Sequence, residues 1–158
     1  MKILISLIFL FFANNSFALE IKCSFEEVYQ DGSIQQGIIL LKEDNLRYQY
    51  LNQNLYTIIN NSYGLFLVNN KNRLPQDLEF NTEIINFLIN QSLIFPNNKN
   101  NYSSENFEAK IINSQNRSFI KNIIITGKKI NLNIHFYDCN EGPIDKIVFH
   151  HNPLKHLR

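Results

Sequence analysis

The sequence has few of the features that mark catalysts and nucleic-acid-binding proteins. Its formal net charge is only +1, which leaves no electrostatic argument for a nucleic-acid partner or an anionic membrane surface. No serine stands in the G-x-S-x-G context of a hydrolase. His150, His151 and His156 lie close to the end of the chain, without cysteines or carboxylates at ligand spacing. We therefore expect no catalytic residue, no metal, no cofactor and no nucleic-acid partner.

Long apolar runs are also scarce. One run ends at Phe12, follows Lys2, and is too short for a transmembrane helix, which needs ~20 apolar residues. A positive residue, a short apolar core and small residues before a cut after Ala18 predict a secretory signal peptide over residues 1–18. The expected mature protein is exported and forms one domain over residues 19–158.

Cysteine is almost absent, and Cys23 and Cys139 are the only two. In an oxidising compartment they are expected to form one disulfide across a long loop. Cys139, however, falls out of phase with the alternating apolar series that ends at Phe136, so pairing needs a bulge or bend near Asp138. Two free thiols are the alternative.

The sequence is rich in short apolar segments separated by polar turns. Such segments are typical of antiparallel hairpins, and Asp31-Gly32 is a strong two-residue turn signal. The predicted strands are Leu19–Gln30, Ile34–Lys42, Leu46–Leu51, Leu55–Asn60, Leu65–Val68, Phe107–Ile112, Phe119–Thr126, Ile130–Tyr137 and Ile144–His150.

The middle of the chain has a different period. Between Pro75 and Pro96 the apolar residues recur every three to four positions, which predicts an amphipathic helix over Asn81–Asn90. Pro96–Ser104 is predicted to be a polar loop. A sheet of this size must cover its apolar face, so it either closes into a barrel or curls into a half-barrel with the helix as a lid.

One stretch resembles a known family. The residues Gly37…Leu46-Arg47-Tyr48-x-Tyr50…Ile58-Ile59…Gly64-Leu65-Phe66-Leu67-Val68, followed by Pro75 and the predicted helix, are similar to the periplasmic outer-membrane lipoprotein carriers (LolA-like). The turn Asp138–Gly142 resembles the family's D-x-x-G turn, with one extra residue. The resemblance implies a mainly β fold: an unclosed antiparallel half-barrel with an inserted lid helix (LolA/LolB-like).

The function that this resemblance implies is carriage without covalent chemistry. A monomeric periplasmic protein would hold lipoprotein acyl chains, or another lipid, between an inner-membrane release complex and an outer-membrane receptor. The expected cavity and lid residues are Leu46, Arg47, Tyr48, Tyr50, Ile58, Phe66, Ile84, Leu88, Leu132, Ile134 and Phe136.

Several readings stay open at this point. Arg47 fits a rim contact to lid or ligand, or a solvated strand arginine. Tyr48 and Tyr50 fit sheet packing or ligand lining. The alternative function is an envelope structural or assembly protein, with a filled core, that binds a protein partner through its sheet edge or helix.

Overall fold

The computed structural model describes residues 20–76, 83–84, 87–88, 100–115, 119–128 and 130–150. These residues form one antiparallel sheet of ten strands, in the order β6-β5-β4-β3-β2-β1-β10-β9-β8-β7. The prediction of a mainly β, unclosed antiparallel sheet is confirmed, whereas the predicted signal peptide lies outside the described residues. The strands are β1 Glu20–Tyr29, β2 Ile34–Lys42, β3 Asn45–Tyr50, β4 Tyr56–Asn61, β5 Gly64–Asn69, β6 Pro75–Gln76, β7 Asn101–Ser103, β8 Phe107–Asn113, β9 Ile120–Gly127 and β10 Asn131–Glu141.

The hairpin between β1 and β2 shows why local signals were sufficient for most of the strands. Gly32 adopts a φ of +81°, which glycine tolerates without strain. The Tyr29 amide donates to the Ser33 carbonyl at 3.0 Å, and the Asp31 carboxylate accepts from the Ser33 amide at 2.9 Å. Every predicted strand except the last is present, with ends shifted by a few residues.

The sheet is strongly curled around its core. Its inner face carries alternate residues of nearly every strand, and these form one contiguous apolar cluster. Ile58 of β4 and Ile134 of β10 line the same small cavity, although four strand spacings separate them in the sheet. A flat sheet would hold these strands about 19 Å apart. The inner face is therefore concave.

Gly37 in the middle of β2 allows a very close approach of side chain to backbone on this concave face. A Cβ atom at Gly37 would collide with the ring of Phe25 and with the Gln49 carbonyl oxygen. Phe25 is fully buried, and its ring stacks on Tyr48 with a centroid distance of 4.0 Å. Only a residue without a side chain lets the Phe25 ring lie flat on the strand.

A disulfide joins Cys23 to Cys139, as predicted, with a sequence separation of 116 residues. The predicted irregularity is present as well. The register of β1 on β10 shifts between Lys22 and Ser24, and Asp138 has a φ of +49°. One residue of β1 thus faces two residues of β10. The extra residue in β10 moves Cys139 onto the inner face, where both cysteines are buried. Such a bond forms and persists in an oxidising, exported compartment.

The segment between β6 and β8 differs in part from the prediction. Glu83, Ile84, Phe87 and Leu88 are helical, and the rest of the predicted helix lies outside the described residues. The predicted loop Pro96–Ser104 contains the short strand β7, which pairs with β8. Within the described ranges, no helix is long and apolar enough to cross a membrane.

The predicted last strand, Ile144–His150, is wrong. The chain leaves the sheet after β10 and forms a 3₁₀ helix over Lys146–Phe149, against the convex faces of β3 and β4. Arg47 donates to the Val148 carbonyl at 2.7 Å, and Asn61 donates to the next carbonyl at 2.7 Å. Side chains of the sheet therefore satisfy this backbone in place of a neighbouring strand. Residues 142–150 are called the C-terminal strap below.

Removing the Arg47 side chain is expected to loosen this strap. Arg47→Ala should lower the free energy of unfolding by about 1–2 kcal/mol, because a charged donor to a backbone carbonyl is lost. Hydrogen exchange should rise at residues 146–149. The control is Lys146→Ala, which removes only an exposed 3.4 Å ion pair with Glu43 and should change stability by less than about 0.5 kcal/mol. Faster exchange at Ile84 and Leu88 with an unchanged strap would contradict this role.

Candidate functional site

A cavity of about 100 Å³ lies between the concave face and the helical residues Ile84 and Leu88. Pockets that hold a drug-sized ligand usually measure roughly 300–1,000 Å³, so the volume of this cavity is well below that of a ligand-filled pocket. Larger depressions of about 450 and 410 Å³ run along β7–β9 and along β1, β9 and β10, and both are open to solvent. The enclosed cavity is lined by Glu27, Tyr29, Tyr48, Tyr50, Tyr56, Ile58, Ile84, Leu88, Ile130, Leu132 and Ile134.

Glu27 is the unusual member of this lining. It continues the inward alternation of Ile21, Cys23 and Phe25 along β1, and only 4% of its surface is exposed. Acidic residues are almost never buried to this degree without a partner. Here the period of the strand forces the carboxylate into the core, and it must find donors there.

Three tyrosines supply those donors. The hydroxyl of Tyr48 donates to Glu27 Oε1 at 2.7 Å, and that of Tyr29 donates to Oε2 at 2.6 Å. The Tyr50 hydroxyl lies 3.1 Å from Oε1 and 2.9 Å from Oε2. Hydrogen bonds to a charged acceptor are about twice as strong as neutral ones. The cluster of Glu27, Tyr29, Tyr48 and Tyr50, called the carboxylate–phenol cluster below, is thus a connected buried network.

The aromatic rings of this region meet at steep angles. Tyr48 and Tyr50 have centroids 5.6 Å apart at 75°, and Tyr50 and Tyr56 have centroids 5.4 Å apart at 79°. Edge-to-face contacts of this kind are favourable because the positive ring edge meets the negative ring face. The rings therefore form a corner of nearly perpendicular walls beside the carboxylate.

Burial and the Glu27 charge both act on the phenols. Burial, and then the nearby carboxylate, raise the pKa of Tyr29, Tyr48 and Tyr50 well above the usual range. The same two causes raise the pKa of Tyr56 to about 12. The phenols therefore stay protonated and keep donating at any physiological pH.

No cation neutralises Glu27 among the residues that the structure describes, where the ion pairs are Lys42–Glu20 and Lys146–Glu43. The same residues contain no group of histidine, cysteine or carboxylate side chains that suits a metal ion. Within the described residues, the phenol hydroxyls are therefore what stabilises the Glu27 carboxylate on the cavity wall.

The helical residues are anchored on one side of the cavity. Phe87 packs against Tyr102 of β7 and Phe107 of β8, with centroid distances of 5.0 Å and 5.8 Å. The Glu83 carboxylate accepts from the Asn106 amide at 2.8 Å. Ile84 and Leu88, which cover the cavity, are therefore tied to the β7–β8 edge of the sheet.

Most of the residues predicted to bind ligand line this cavity: Tyr48, Tyr50, Ile58, Ile84, Leu88, Leu132 and Ile134. Leu46 and Phe136 are buried in the core away from the cavity. Arg47 faces the C-terminal strap, and Phe66, which pairs with Ile59 beside Arg47, shares its convex face. The predicted ligand contact remains a prediction for all of these residues.

Sequence reasoning missed Glu27, Tyr29, Tyr56 and Ile130 as lining residues. A signal for Glu27 was present, because it stands in phase with Ile21, Cys23 and Phe25. An acidic residue on the apolar side of a strand is an informative exception to the alternation. Tyr56 and Ile130 stand in phase with Ile58 and Leu132, which were predicted to line the cavity, so the alternation carried a signal for both.

The raised tyrosine pKa values predict alkaline instability. Below the usual tyrosine value of 10.0 both states keep their phenol protons. Above it the unfolded chain ionises first and binds fewer protons than the folded chain, so the free energy of unfolding falls as pH rises. Urea unfolding at about pH 9 and about pH 11 should show a loss of roughly 1 kcal/mol per pH unit for each phenol that stays protonated. Tyr56→Phe should lose less over this interval, and equal stability at both pH values would contradict the prediction.

The sequence matches no protein-family model, and it matches no curated protein at a significant level. The geometry and chemistry of the cavity therefore carry the functional assignment.

Proposed function

We propose that this protein is an exported carrier that shelters the apolar chain of a lipid or lipoprotein in the cavity of its curled sheet. The observation that carries the proposal is the partly enclosed cavity on the concave face, which Ile84 and Leu88 help to line. Isoleucine and leucine side chains from opposite parts of the sheet, Ile58, Leu132 and Ile134, form its apolar wall. A protein that needs only a filled core gains nothing from such a void, which costs packing energy.

Accommodating a chain requires the cavity to grow. An acyl chain gains about 0.8 kcal/mol for each buried CH₂ group. Displacing Ile84 and Leu88 from the sheet would open the concave face between β4 and β10, and the contacts of their chain neighbours Phe87 and Glu83 at β7–β8 would shift with them. The helical residues would then act as a lid whose apolar contacts are replaced by the chain.

The cellular setting in the proposal follows from the disulfide and the sequence resemblance. The Cys23–Cys139 bond supports an oxidising compartment, and the resemblance to lipoprotein carriers supports the periplasm of a Gram-negative-type envelope. A periplasmic monomer of this kind would accept its cargo from an inner-membrane release complex and deliver it to an outer-membrane receptor. The proposal involves no catalytic step.

A second function is favoured by the small size of the cavity. At about 100 Å³ it has room for roughly three water molecules, and four tyrosine side chains are among the residues that line it. An envelope assembly protein with an almost filled core, which binds a partner through β6, β7 or the helical segment, would look the same in this state. Ligand uptake distinguishes the two functions.

The test is binding of a fluorescent fatty-acyl probe to the mature chain, with native mass spectrometry of co-purified lipids. Ile58→Phe adds bulk inside the cavity and should weaken probe binding by at least about tenfold, or 1.4 kcal/mol. Ile112→Phe is the matched control, because Ile112 is 36% exposed on the outer face of β8, and binding should be unchanged. Absence of both probe binding and co-purified lipid would reject the carrier and support the assembly protein.

A further inference from the structure

We infer that the cavity selects ligands whose polar end is a quaternary ammonium group. The inference rests on the proposed function, since it assigns the chemistry of the ligand that the same cavity would hold. It follows from the carboxylate–phenol cluster and the tyrosine rings beside it, which give one wall of an otherwise apolar cavity a definite charge and shape.

The charge of the wall sets the sign of the ligand. Glu27 lines the cavity, is nine-tenths buried, and has no ion-pair partner in the part of the chain that the structure describes. A charge in a site of low dielectric acts strongly on any other charge brought into it. A carboxylate or phosphate ligand would be repelled by Glu27. A cation would supply the charge compensation that the phenols give to Glu27 only in part.

The hydrogen bonds of Glu27 decide which kind of cation fits. Oε1 accepts from Tyr48 and Oε2 from Tyr29, while the single Tyr50 proton is shared between the two oxygens, so three phenol donors already bind the carboxylate. A primary ammonium group carries three N–H donors that must all find acceptors inside the cavity, where the Glu27 carboxylate has room for about one more. A quaternary ammonium group has no proton to donate. It gains from the negative potential without breaking the network.

The tyrosine rings provide the surface that such a group prefers. Quaternary ammonium ions bind in cages of aromatic rings because the negative ring face attracts the diffuse positive charge. Tyr48, Tyr50 and Tyr56 contact one another edge to face at 75° and 79°, and all three line the cavity together with Glu27. Four tyrosines in all line the cavity, with isoleucines and Leu88 opposite them to contact an attached chain.

The size of the cavity agrees with a compact polar end. A volume of about 100 Å³ corresponds to roughly three water molecules, which is near the size of a trimethylammonium group, so the attached chain needs the space that opens when Ile84 and Leu88 are displaced. The inferred ligand is therefore an amphiphile with a trimethylammonium end at Glu27 and its apolar part under Ile84 and Leu88.

The test compares three ligands with one dodecyl chain, each below its micelle concentration: dodecyltrimethylammonium, dodecanol and dodecanoate. Titration calorimetry on the mature chain should give the cation an affinity at least about tenfold above the alcohol, with the anion weakest. Equal affinity for cation and alcohol, or a preference for the anion, would overturn the inference and leave the carrier function standing. Absence of binding by all three would reject both.

Glu27→Gln and Glu26→Gln form a matched pair of variants. Both remove one carboxylate from β1, but Glu26 lies on the opposite face and accepts from Gln36. Glu27→Gln should remove the preference for the cation while binding of dodecanol persists, and Glu26→Gln should keep the preference. Loss of the preference in both variants would show long-range charge rather than a built site. Should Glu27→Gln fail to fold, the wild-type ligand series remains decisive.

Discussion

Reduction of the Cys23–Cys139 disulfide is expected to lower the free energy of unfolding by about 4–5 kcal/mol. The bond closes a loop across 116 positions of sequence, so the unfolded chain gains a large conformational freedom when it is cut. It also joins β1 to β10, the two strands at which the halves of the sheet meet. The expected fall in Tm is roughly 10–20 °C for a chain of this size.

The measurement is urea unfolding with and without a thiol reductant. The double variant Cys23→Ala/Cys139→Ala should match the reduced wild type and should not respond to reductant. A reductant effect that persists in the double variant would show that the reagent acts elsewhere. A loss below about 1 kcal/mol would show that the unfolded chain is already compact around β1 and β10, against the chain-entropy account.

A side chain at Gly37 is expected to destabilise the protein by about 3 kcal/mol or more. The added Cβ atom would meet the Phe25 ring and the Gln49 carbonyl oxygen, neither of which is the free end of a flexible side chain. Gly37→Ala must move the Phe25 ring, which stacks on Tyr48. Because Tyr48 donates to Glu27, the substitution should also disturb the carboxylate–phenol cluster and weaken ligand binding.

The control for this prediction is Gly142→Ala. A Cβ atom at Gly142 would meet nothing within 4 Å, so the change in stability should stay within about 0.5 kcal/mol. Urea unfolding and near-ultraviolet circular dichroism of the tyrosines measure the two effects. If Gly37→Ala were as stable as Gly142→Ala, the close approach of Phe25 to β2 would be wrong.

The strands were predictable because their signals are local. Alternation along β1 and β2 and the turn at Asp31-Gly32 specify a hairpin without reference to the rest of the chain. The last segment, Ile144–His150, was mistaken for a strand because a short apolar run has no period of its own. Its conformation depends on Arg47 and Asn61, which are distant in sequence and offer donors to its carbonyls.

From the sequence it was possible to predict which residues lie on the inner face of the sheet, but not the chemistry of the candidate site. Alternation correctly placed Tyr48, Tyr50, Leu132 and Ile134 on the inner face, and all four line the same cavity, although they belong to β3 and β10. The same rule also places Glu27 there, but apolar patterning gives no reason to look for a charge. Arg47 was predicted to contact the lid or ligand because of the family resemblance. The alternation along β3 places it on the opposite face from Tyr48.

By itself, the sequence determined which residues pair locally, which side of each strand is apolar, and that two cysteines were available to bond. These properties depend on neighbours along the chain, so period and turn chemistry are enough to specify them. Tertiary structure decided that the sheet stays unclosed, that Cys23 and Cys139 are joined, and that three phenols converge on Glu27. The last two require atoms from strands far apart in sequence to meet within a few ångströms, and no local pattern encodes such distances.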